Sequence, residues 1–420
     1  MAKHSYDFDL FTIGAGSGGV AASRRAGSYG ARVAICEGDR VGGTCVLRGC
    51  VPKKLLVYAS HLRDEFADAA GYGWSLPGPP TLDWARLVAA KDAELDRLNG
   101  IYLRLLASSG VEVVEGRGVL VDPHTVEVRG RRFTAERILV CTGGSPHVPA
   151  VPGSELGITS DQALALTRIP RRIVIAGGGY IAVEFAGIFN GLGAKVDLVL
   201  RRDRVLRGFD EECRTFVHQA LGDSGIRLRT EMEIGRIVAK GADGKSGPFE
   251  IHTPNGGVFE TDCVLYATGR APNTSGLGLE KAGVQLNKAG AIAVDEWSKT
   301  TAENIWAVGD VTDRINLTPV AIMEGHCFAD TEFGKKPRKA DHRDVPSAVF
   351  CQPELANVGL TEEQAKLQLG ELRVFTAAFR PMKYTISGRQ QRTFMKLIVE
   401  AATDKVVGIH MVGDDAAELI

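Results

Sequence analysis

The chain has 420 residues, 44% of them hydrophobic, and its 50 Lys and Arg residues almost balance its 51 Asp and Glu residues. A net charge of −1 creates no strong global field, so neither nucleic acid nor a charged membrane surface is expected as a partner. The sequence also lacks an apolar run of about 18 residues and a signal-peptide pattern. We therefore expect a cytoplasmic protein.

The first predicted element is a short buried strand over residues 7–14, which leads into a glycine-rich turn and a helix. The next strand ends in an acid. In a dinucleotide-binding βαβ unit the glycines let a pyrophosphate approach the helix N-terminus, and this acid accepts a hydrogen bond from a ribose hydroxyl. A purely structural glycine turn is the alternative. The predicted binding residues are Gly14, Gly16, Ser17, Gly18, Gly19 and Glu37.

Residues 42–54, "GGTCVLRGCVPKK", place Cys45 and Cys50 close together in the sequence. Most of the other cysteines lie in apolar, strand-like text, where a buried and inert thiol is expected. A cysteine near a helix start and near lysines favours the thiolate, the form that exchanges with disulfides. The pattern predicts a redox pair, with a zinc half-site or an inert structural pair as alternatives.

A second strand, glycine turn, helix and strand occupy residues 171–202, with Gly177, Gly179 and Ala182 at the three glycine positions. This time the second strand ends without an acid, in "RRDRVLR". Guanidinium groups match the charge and the oxygens of a 2'-phosphate, which a carboxylate would repel. The pattern predicts an NADP-type site, whereas a solvated arginine-rich loop is the alternative.

Three later apolar strands end in short polar signals, at Thr142-Gly143, at Thr268-Gly269 and at Gly309-Asp310. The two strands that end in Thr-Gly suit crossing points between domains. The predicted fold class is α/β, with two Rossmann-like dinucleotide-binding domains and a C-terminal α+β interface domain. The predicted domains are 1–145 (the first dinucleotide-binding domain), 146–272 (the NADP-type domain), 273–343 (a return to the first, central domain) and 344–420 (the α+β domain).

The two nucleotide units, the cysteine pair and "AVGD" occur in the order typical of the flavin-dependent pyridine nucleotide-disulfide oxidoreductases. Over essentially its whole length the chain resembles this family, and within it the glutathione reductases most. The resemblance implies FAD at the first site, NADPH at the second, and NADPH-dependent reduction of glutathione disulfide. It adds Gly43, Thr44, Thr142, Gly143, Asp310 and Thr318 to the FAD residues and Gly269 to the NADP residues.

The resemblance also assigns roles at the reaction centre. Cys50 is expected against the flavin, and Cys45 is expected to attack the substrate disulfide. Lys53 is expected to pair with Glu184, and Tyr180 is expected to gate the nicotinamide pocket. At the coenzyme site, Arg201 and Arg207 match the phosphate ligands, whereas Arg202 and Arg204 are expected to be solvated.

Substrate choice is expected to depend on Ala21 and Arg24, which share one face of the first helix. A small residue and an arginine match the pattern that receives the carboxylates of glutathione disulfide. A trypanothione-type enzyme, the alternative, has an acid and a tryptophan there. Tyr102 matches a tyrosine over the glutathione site. Two departures are His326, where some relatives have arginine, and Leu105, where some have a polar side chain.

The resemblance implies a homodimer in which a histidine before a proline serves the other subunit's dithiol as acid and base. None of the nine histidines precedes a proline, and His410 matches a strand position instead. We therefore expect an interface domain that is incomplete at its C-terminus. A truncated FAD- and NADP-binding remnant, capable of flavin reduction but of little disulfide turnover, is the alternative function.

Overall fold

The computed structural model describes residues 5–420. Within them the helices are α1 (Ser17–Ser28), α2 (Gly43–Leu47), α3 (Cys50–Ala69), α4 (Trp84–Ser108), α5 (Ser160–Ala163), α6 (Tyr180–Gly191), α7 (Glu211–Asp223), α8 (Thr318–Glu332), α9 (Glu362–Leu369), α10 (Lys383–Ser387) and α11 (Ala416–Leu419). The strands are β1 (Phe8–Ile13), β2 (Val33–Glu37), β3 (Val111–Glu115), β4 (Gly118–Asp122), β5 (Thr125–Val128), β6 (Arg131–Val140), β7 (Gly144–Pro146), β8 (Ile158–Thr159), β9 (Arg172–Ala176), β10 (Lys195–Val199), β11 (Arg227–Arg229), β12 (Arg236–Ala239), β13 (Phe249–His252), β14 (Val258–Thr261), β15 (Cys263–Tyr266), β16 (Arg270–Pro272), β17 (Ile305–Ala307), β18 (Ser347–Val349), β19 (Leu355–Gly359), β20 (Leu372–Phe379), β21 (Thr393–Glu400) and β22 (Val406–Val412).

The chain divides into two compact units, each built from three separate stretches of sequence. Unit 1 comprises Met1–Pro52, Ala90–Ser145 and Arg270–His342, and unit 2 comprises Lys53–Ala89, Pro146–Gly269 and Arg343–Ile420. The stretch Lys53–Ala89, which the sequence places in the FAD-binding domain, groups with unit 2. The reason is packing, because Leu56 and Trp84 are buried in the same apolar cluster as the α6 residues. The four-domain division remains a prediction.

Unit 1 is organised around a mixed sheet of order β3-β2-β1-β6-β5-β4, with β17 beside β6. Strands β1, β2, β3, β6 and β17 run parallel. The residues of β1, β2 and β17 and the last three of β6 are largely buried apolar ones, as expected of parallel strands covered on both faces. Parallel strands end at the same edge of a sheet. The glycine turn after β1, Glu37, Thr142 and Gly309 therefore all lie at the carboxyl edge.

Helices α1 and α8 of unit 1 cross at glycines. A Cβ atom at Gly325 would lie 2.7 Å from the carbonyl oxygen of Gly18, and one at Gly18 would lie 3.1 Å from that of Ala321. Only glycine allows this approach. It brings Arg24 of α1 and His326 of α8 into the same part of the unit.

Unit 2 contains a parallel sheet of order β11-β10-β9-β15-β8 and an antiparallel sheet of order β18-β19-β22-β21-β20. Strands β9, β10 and β15, with α6 between the first two, form the predicted second nucleotide unit. The antiparallel sheet, with α9, forms the predicted α+β segment. Buried residues of both parts, such as Val217, Phe394 and Val412, share one apolar cluster.

Candidate active site

The first glycine turn is fixed by close backbone contacts. Gly14 has φ +103, and a Cβ atom there would lie 2.5 Å from the carbonyl oxygen of Cys141, at the end of the neighbouring strand. A Cβ atom at Gly19 would lie 2.0 Å from the carbonyl oxygen of Gly14. The backbone N–H of Ala15 donates to Glu37 Oε2 at 2.8 Å, so the carboxylate lies against the turn. The arrangement suits a dinucleotide, whose pyrophosphate needs bare backbone and whose ribose needs an acceptor.

The same turn positions the segment that carries the first cysteine. Gly43 has φ +64, and a Cβ atom there would lie 2.6 Å from the Cα atom of Gly16. Because Gly43 is the first residue of α2, Thr44 and Cys45 follow directly from this contact. Gly16, Ser17 and Gly18 lie at the start of α1. The redox-pair segment and the turn are thus one local structure.

A second cluster of predicted FAD residues lies beyond β6. Thr142 Oγ1 donates to the carbonyl oxygen of Asn273 at 2.7 Å, and the Asn273 side-chain amide donates back to the carbonyl oxygen of Thr142 at 2.8 Å. The backbone N–H of Asn273 donates to the carbonyl oxygen of Gly143 at 2.9 Å. Asp310 lies nearby, since its Cβ is 3.7 Å from the Cβ position that Gly144 would have. Burial raises the pKa of Asp310, and the charge of Arg270 opposes this shift.

Glu324 was not identified from the sequence, yet it organises this edge. It is 1% exposed, and its Oε2 accepts the backbone N–H of Gly309, next to Asp310, at 2.7 Å. Its Oε1 lies 2.9 Å from Arg314 and 2.7 Å from His342. A buried carboxylate requires such partners. The signal that could have revealed it is the single charge inside the apolar start of α8, "TPVAIMEGH".

The two predicted redox cysteines differ from the other six in exposure. Cys45 is half-buried in α2 and Cys50 is exposed at the first residue of α3, whereas Cys36, Cys141, Cys213, Cys263, Cys327 and Cys351 are all buried. Burial raises the pKa of both Cys36 and Cys263 to about 12, which keeps these thiols protonated and unreactive.

The position of Cys50 favours thiolate chemistry. It begins a long helix, α3, and a helix N-terminus stabilises negative charge. Its sulfur lies 3.8 Å from the hydroxyl of Thr318, the first residue of α8. Among residues 5–420 no group of three or more His, Cys, Asp or Glu side chains could hold a metal ion.

In unit 2, Lys53 and Glu184 form a buried ion pair. The Lys53 Nζ lies 2.8 Å from Glu184 Oε1, and the two side chains are 11% and 4% exposed. The Glu184 carboxylate also accepts the backbone N–H of Phe350 at 2.9 Å, and the Lys53 Nζ lies 4.2 Å from the centre of the Phe350 ring. Tyr180, the first residue of α6, is 45% exposed. Because the Tyr180 side chain is exposed at this position, a ligand bound at the second glycine turn can contact it.

That turn repeats the construction of the first. Gly177 has φ +136, and a Cβ atom there would lie 2.2 Å from the carbonyl oxygen of Ala267. Gly179 precedes α6, and Ala182 is fully buried in it. Gly269 has φ +117 and nothing within 4 Å of its Cβ position. The backbone N–H of Leu206 donates to the carbonyl oxygen of Gly178 at 2.6 Å, which ties the arginine-rich loop to the turn.

The arginines of this loop are not equivalent. The side chain of Arg201 is 79% exposed and lies 3.5 Å from Glu233, and Arg207 is exposed as well. Arg202 is also exposed. Arg204, however, is not the solvated residue expected from the sequence, because it donates to Thr215 Oγ1 at 2.8 Å and pairs with Glu211. Arg201 and Arg207 thus remain available for an anionic ligand.

The predicted substrate residues share an electrostatic environment in unit 1. Burial raises the pKa of Tyr102, the charge of Cys45 raises it further, and the charge of Arg24 opposes both. Burial also lowers the pKa of His326, and the charges of Arg25 and Arg24 add to this effect. The Arg24 Nε is buried, with no hydrogen-bond acceptor among the described residues. Ala21 lies on the same helix. A buried guanidinium N–H without an acceptor fits an anionic ligand.

Comparison with known proteins identifies the family. The model named "Pyridine nucleotide-disulphide oxidoreductase" matches residues 8–325, and the dimerisation-domain model of that name matches residues 345–420. The chain belongs to this family. The resemblance predicted from the sequence is confirmed, as is the α/β fold class with its interface domain. The expected truncation of that domain is not borne out by these matches.

Curated relatives cover nearly the whole chain. A chloroplastic/mitochondrial glutathione reductase of Pisum sativum is 53% identical, covering 99% of this chain and 76% of the relative. A glutathione reductase of Burkholderia cepacia is 51% identical, covering 99% and 91%. A trypanothione reductase of Leishmania donovani is 40% identical, covering 98% and 88%.

Among solved structures, the HOCl-induced flavoprotein disulfide reductase RclA from Escherichia coli superposes with a TM-score of 0.87 at 28% identity, covering 98% of this chain and 91% of that one. FAD and NADPH are confirmed as the cofactors through family membership. No helix within residues 5–420 is both long and apolar enough to span a membrane.

The exposed arginines of the loop lead to a prediction about coenzyme choice. Replacing Arg201 and Arg207 together by alanine removes charge-assisted bonds to phosphate, so the KM for NADPH is expected to rise about tenfold or more. The KM for NADH, which has no 2'-phosphate, is expected to change little. Steady-state kinetics with both coenzymes measures this, with Arg202→Ala as the control. An unchanged preference for NADPH over NADH would contradict the assignment.

Proposed function

We propose that this protein reduces glutathione disulfide to glutathione with NADPH, through FAD and the Cys45/Cys50 pair. The observation that carries the proposal is the buried Nε of Arg24, which has no hydrogen-bond partner among the described residues. The charges of Arg24 and Cys45 both act on the pKa of Tyr102. Arg24 and Cys45 therefore both lie within the range of charge interactions with Tyr102. The identity of about half of all positions with glutathione reductases from a plant and a bacterium supports the same activity.

The residues of unit 1 fit FAD. In the turn at Gly14–Gly19, glycines stand where a side chain would meet neighbouring backbone, and Glu37 is held beside the turn, where it can accept a hydrogen bond from a hydroxyl. Thr142, Gly143 and Asp310 form the second part of the site at the same edge of the sheet. FAD, when bound, supplies the two-electron transfer between the coenzyme and the dithiol. NADPH is assigned to the turn at Gly177, with its 2'-phosphate held by Arg201 and Arg207.

The dithiol performs two successive exchanges. The Cys45 thiolate attacks one sulfur of glutathione disulfide, so a mixed disulfide forms and one glutathione leaves and takes up a proton. The Cys50 thiolate then attacks the Cys45 sulfur, which releases the second glutathione and leaves the Cys45–Cys50 disulfide. The two electrons gained by the substrate are those that NADPH supplied when that disulfide was opened.

The charge of the substrate distinguishes glutathione disulfide from related disulfides. Glutathione disulfide carries carboxylates, which suit Arg24 and the small Ala21 on α1. A polyamine conjugate such as trypanothione has fewer negative charges and would be repelled by Arg24. We therefore favour glutathione disulfide, although a trypanothione reductase is among the relatives.

A homodimer in the cytoplasm completes the proposal. The dimerisation-domain match supports the homodimer, as does the exposed edge strand β20, in which Phe375 is 54% exposed and Phe379 is 45% exposed. An exposed apolar edge strand is an association surface unless it is covered.

The roles of the two cysteines can be separated by trapping. In reduced Cys50→Ser, attack by Cys45 on glutathione disulfide is expected to give a stable adduct, because no second thiol displaces glutathione. In Cys45→Ser the adduct is expected to form about tenfold or more slowly, because bound FAD would shield Cys50 if it lies against this thiol as the family resemblance implies. Mass spectrometry of the intact protein over time measures both. Equal rates would contradict the assignment of Cys45 as the attacking thiol.

Arg24 gives the direct test of the substrate. Wild-type protein is expected to oxidise NADPH in the presence of glutathione disulfide but not of trypanothione disulfide. In Arg24→Met the KM for glutathione disulfide is expected to rise about tenfold, with little change in kcat, because a charge-assisted bond to a carboxylate is lost. Arg97→Met removes an exposed arginine and serves as the control. Absence of glutathione-disulfide turnover in the wild type would refute the proposed function.

His326 predicts a pH dependence. A lowered pKa keeps this histidine neutral at pH 7 and above, so it adds charge to the site only below its usual pKa of about 6.5. At alkaline pH, His326→Arg is expected to lower the KM for glutathione disulfide about threefold, and the advantage should shrink in acid as the wild-type histidine is protonated. His326→Gln should match wild type at alkaline pH. A pH-independent ratio of the wild-type and arginine KM values would contradict this account.

A further inference from the structure

Unit 2 contains a buried lysine with three carboxylate partners. Lys396, on β21, has a side chain that is 1% exposed, and its Nζ lies 3.0 Å from Asp210, 2.7 Å from Glu212 and 2.6 Å from Glu362. Burial acts to lower the pKa of Lys396, but its bonds to Glu212, Glu362 and Asp210 raise it above the usual value. The ammonium group is therefore charged at neutral pH and is the common counter-ion of this cluster.

Asp210 connects the cluster to two helices. Its Oδ1 accepts the backbone N–H of Glu212 at 3.2 Å and so caps α7. Its Oδ2 accepts the backbone N–H of Glu362, the first residue of α9, at 3.1 Å. Asp210 is 2% exposed, so its carboxylate depends on these donors and on Lys396. The start of α7 is thus held by a residue of the antiparallel sheet.

The start of α7 in turn holds the arginine-rich loop. Arg214 donates through Nε to the carbonyl oxygen of Val205 at 2.9 Å, and through Nη2 to that of Arg204 at 3.4 Å. The Arg204 side chain returns to Thr215 of α7. On its other side the loop is tied to the second glycine turn by Leu206, which has φ +55. A non-glycine residue in this region persists only where its surroundings fix it.

We propose that Lys396, a residue of the segment matched by the dimerisation-domain model, is a positioning residue for the 2'-phosphate of the coenzyme. By fixing Asp210 and the start of α7, it sets the conformation of the loop that displays Arg201 and Arg207. Without Lys396, the buried carboxylate of Asp210 faces the half-exposed carboxylate of Glu212 and the partly exposed one of Glu362 with no counter-ion between them, and this repulsion is expected to displace the start of α7. The inference rests on the proposed role of Arg201 and Arg207.

Binding of two nucleotides that differ only in the 2'-phosphate tests it without turnover. Lys396→Met and Asp210→Asn are made in the full-length, FAD-loaded protein, and isothermal titration calorimetry gives the Kd for adenosine 2',5'-bisphosphate and for AMP. Each variant is expected to bind the bisphosphate about fivefold or more weakly, while the Kd for AMP stays within about twofold. Asparagine keeps an oxygen that can cap α7, so Asp210→Asn is expected to fold. This variant therefore decides the matter if Lys396→Met does not fold.

Arg389→Met is the matched control. Arg389 lies 3.2 Å from Asp64 and 2.6 Å from Asp68 in the same unit, so its loss also unpairs carboxylates, but these lie on α3 rather than α7. It should lower Tm without changing the ratio of the two Kd values. If the ratio of the two Kd values is unchanged in Lys396→Met and Asp210→Asn, the inference about Lys396 is overturned but the proposed phosphate site is not. An unchanged ratio in the Arg201 and Arg207 double variant as well would overturn the proposed phosphate site with it.

Discussion

The architecture depends on two places where a strand end and a glycine turn are closer than any side chain allows. At Gly14 and at Gly177 a Cβ atom would overlap a carbonyl oxygen of the neighbouring strand, that of Cys141 in one unit and that of Ala267 in the other. This constraint fixes where α1 and α6 begin, directly after each turn, so that their N-termini can bind a phosphate group. The residue after the following strand then decides which nucleotide is accepted.

Opposite charges at equivalent positions separate the two nucleotides. Glu37 is tied to its turn by the N–H of Ala15 and suits a ribose with free hydroxyls. Arg201 follows β10 at the corresponding place and suits a ribose that carries phosphate. We therefore propose that one backbone arrangement serves FAD at the first turn and NADPH at the second, because Glu37 would repel a 2'-phosphate whereas Arg201 would attract one.

Local patterns in the sequence predicted the two βαβ units, their glycines and the cysteine pair, because each signal lies within a few dozen residues. Contacts between residues that lie far apart in the sequence could not be predicted from such local patterns. The contact of Glu324 with Gly309 and that of Lys396 with Asp210 leave no periodic trace. The Lys53–Glu184 pair was expected only through the family resemblance. The amphipathic sequence of α3 also does not indicate which apolar core buries this helix. For this reason the sequence places Lys53–Ala89 in the first domain, although the stretch packs in unit 2.

The arrangement of unit 1 also has a consequence for biosynthesis. Strand β17 pairs with β6, so Ile305 meets Ile138 across a long intervening stretch that belongs mostly to unit 2. A ribosome must therefore release most of the chain before the FAD-binding sheet gains its last strand. Such long-range pairing is slow, and the incomplete sheet exposes an unpaired edge. The nascent chain is accordingly most vulnerable to aggregation in this interval, and demand for chaperones should be greatest then.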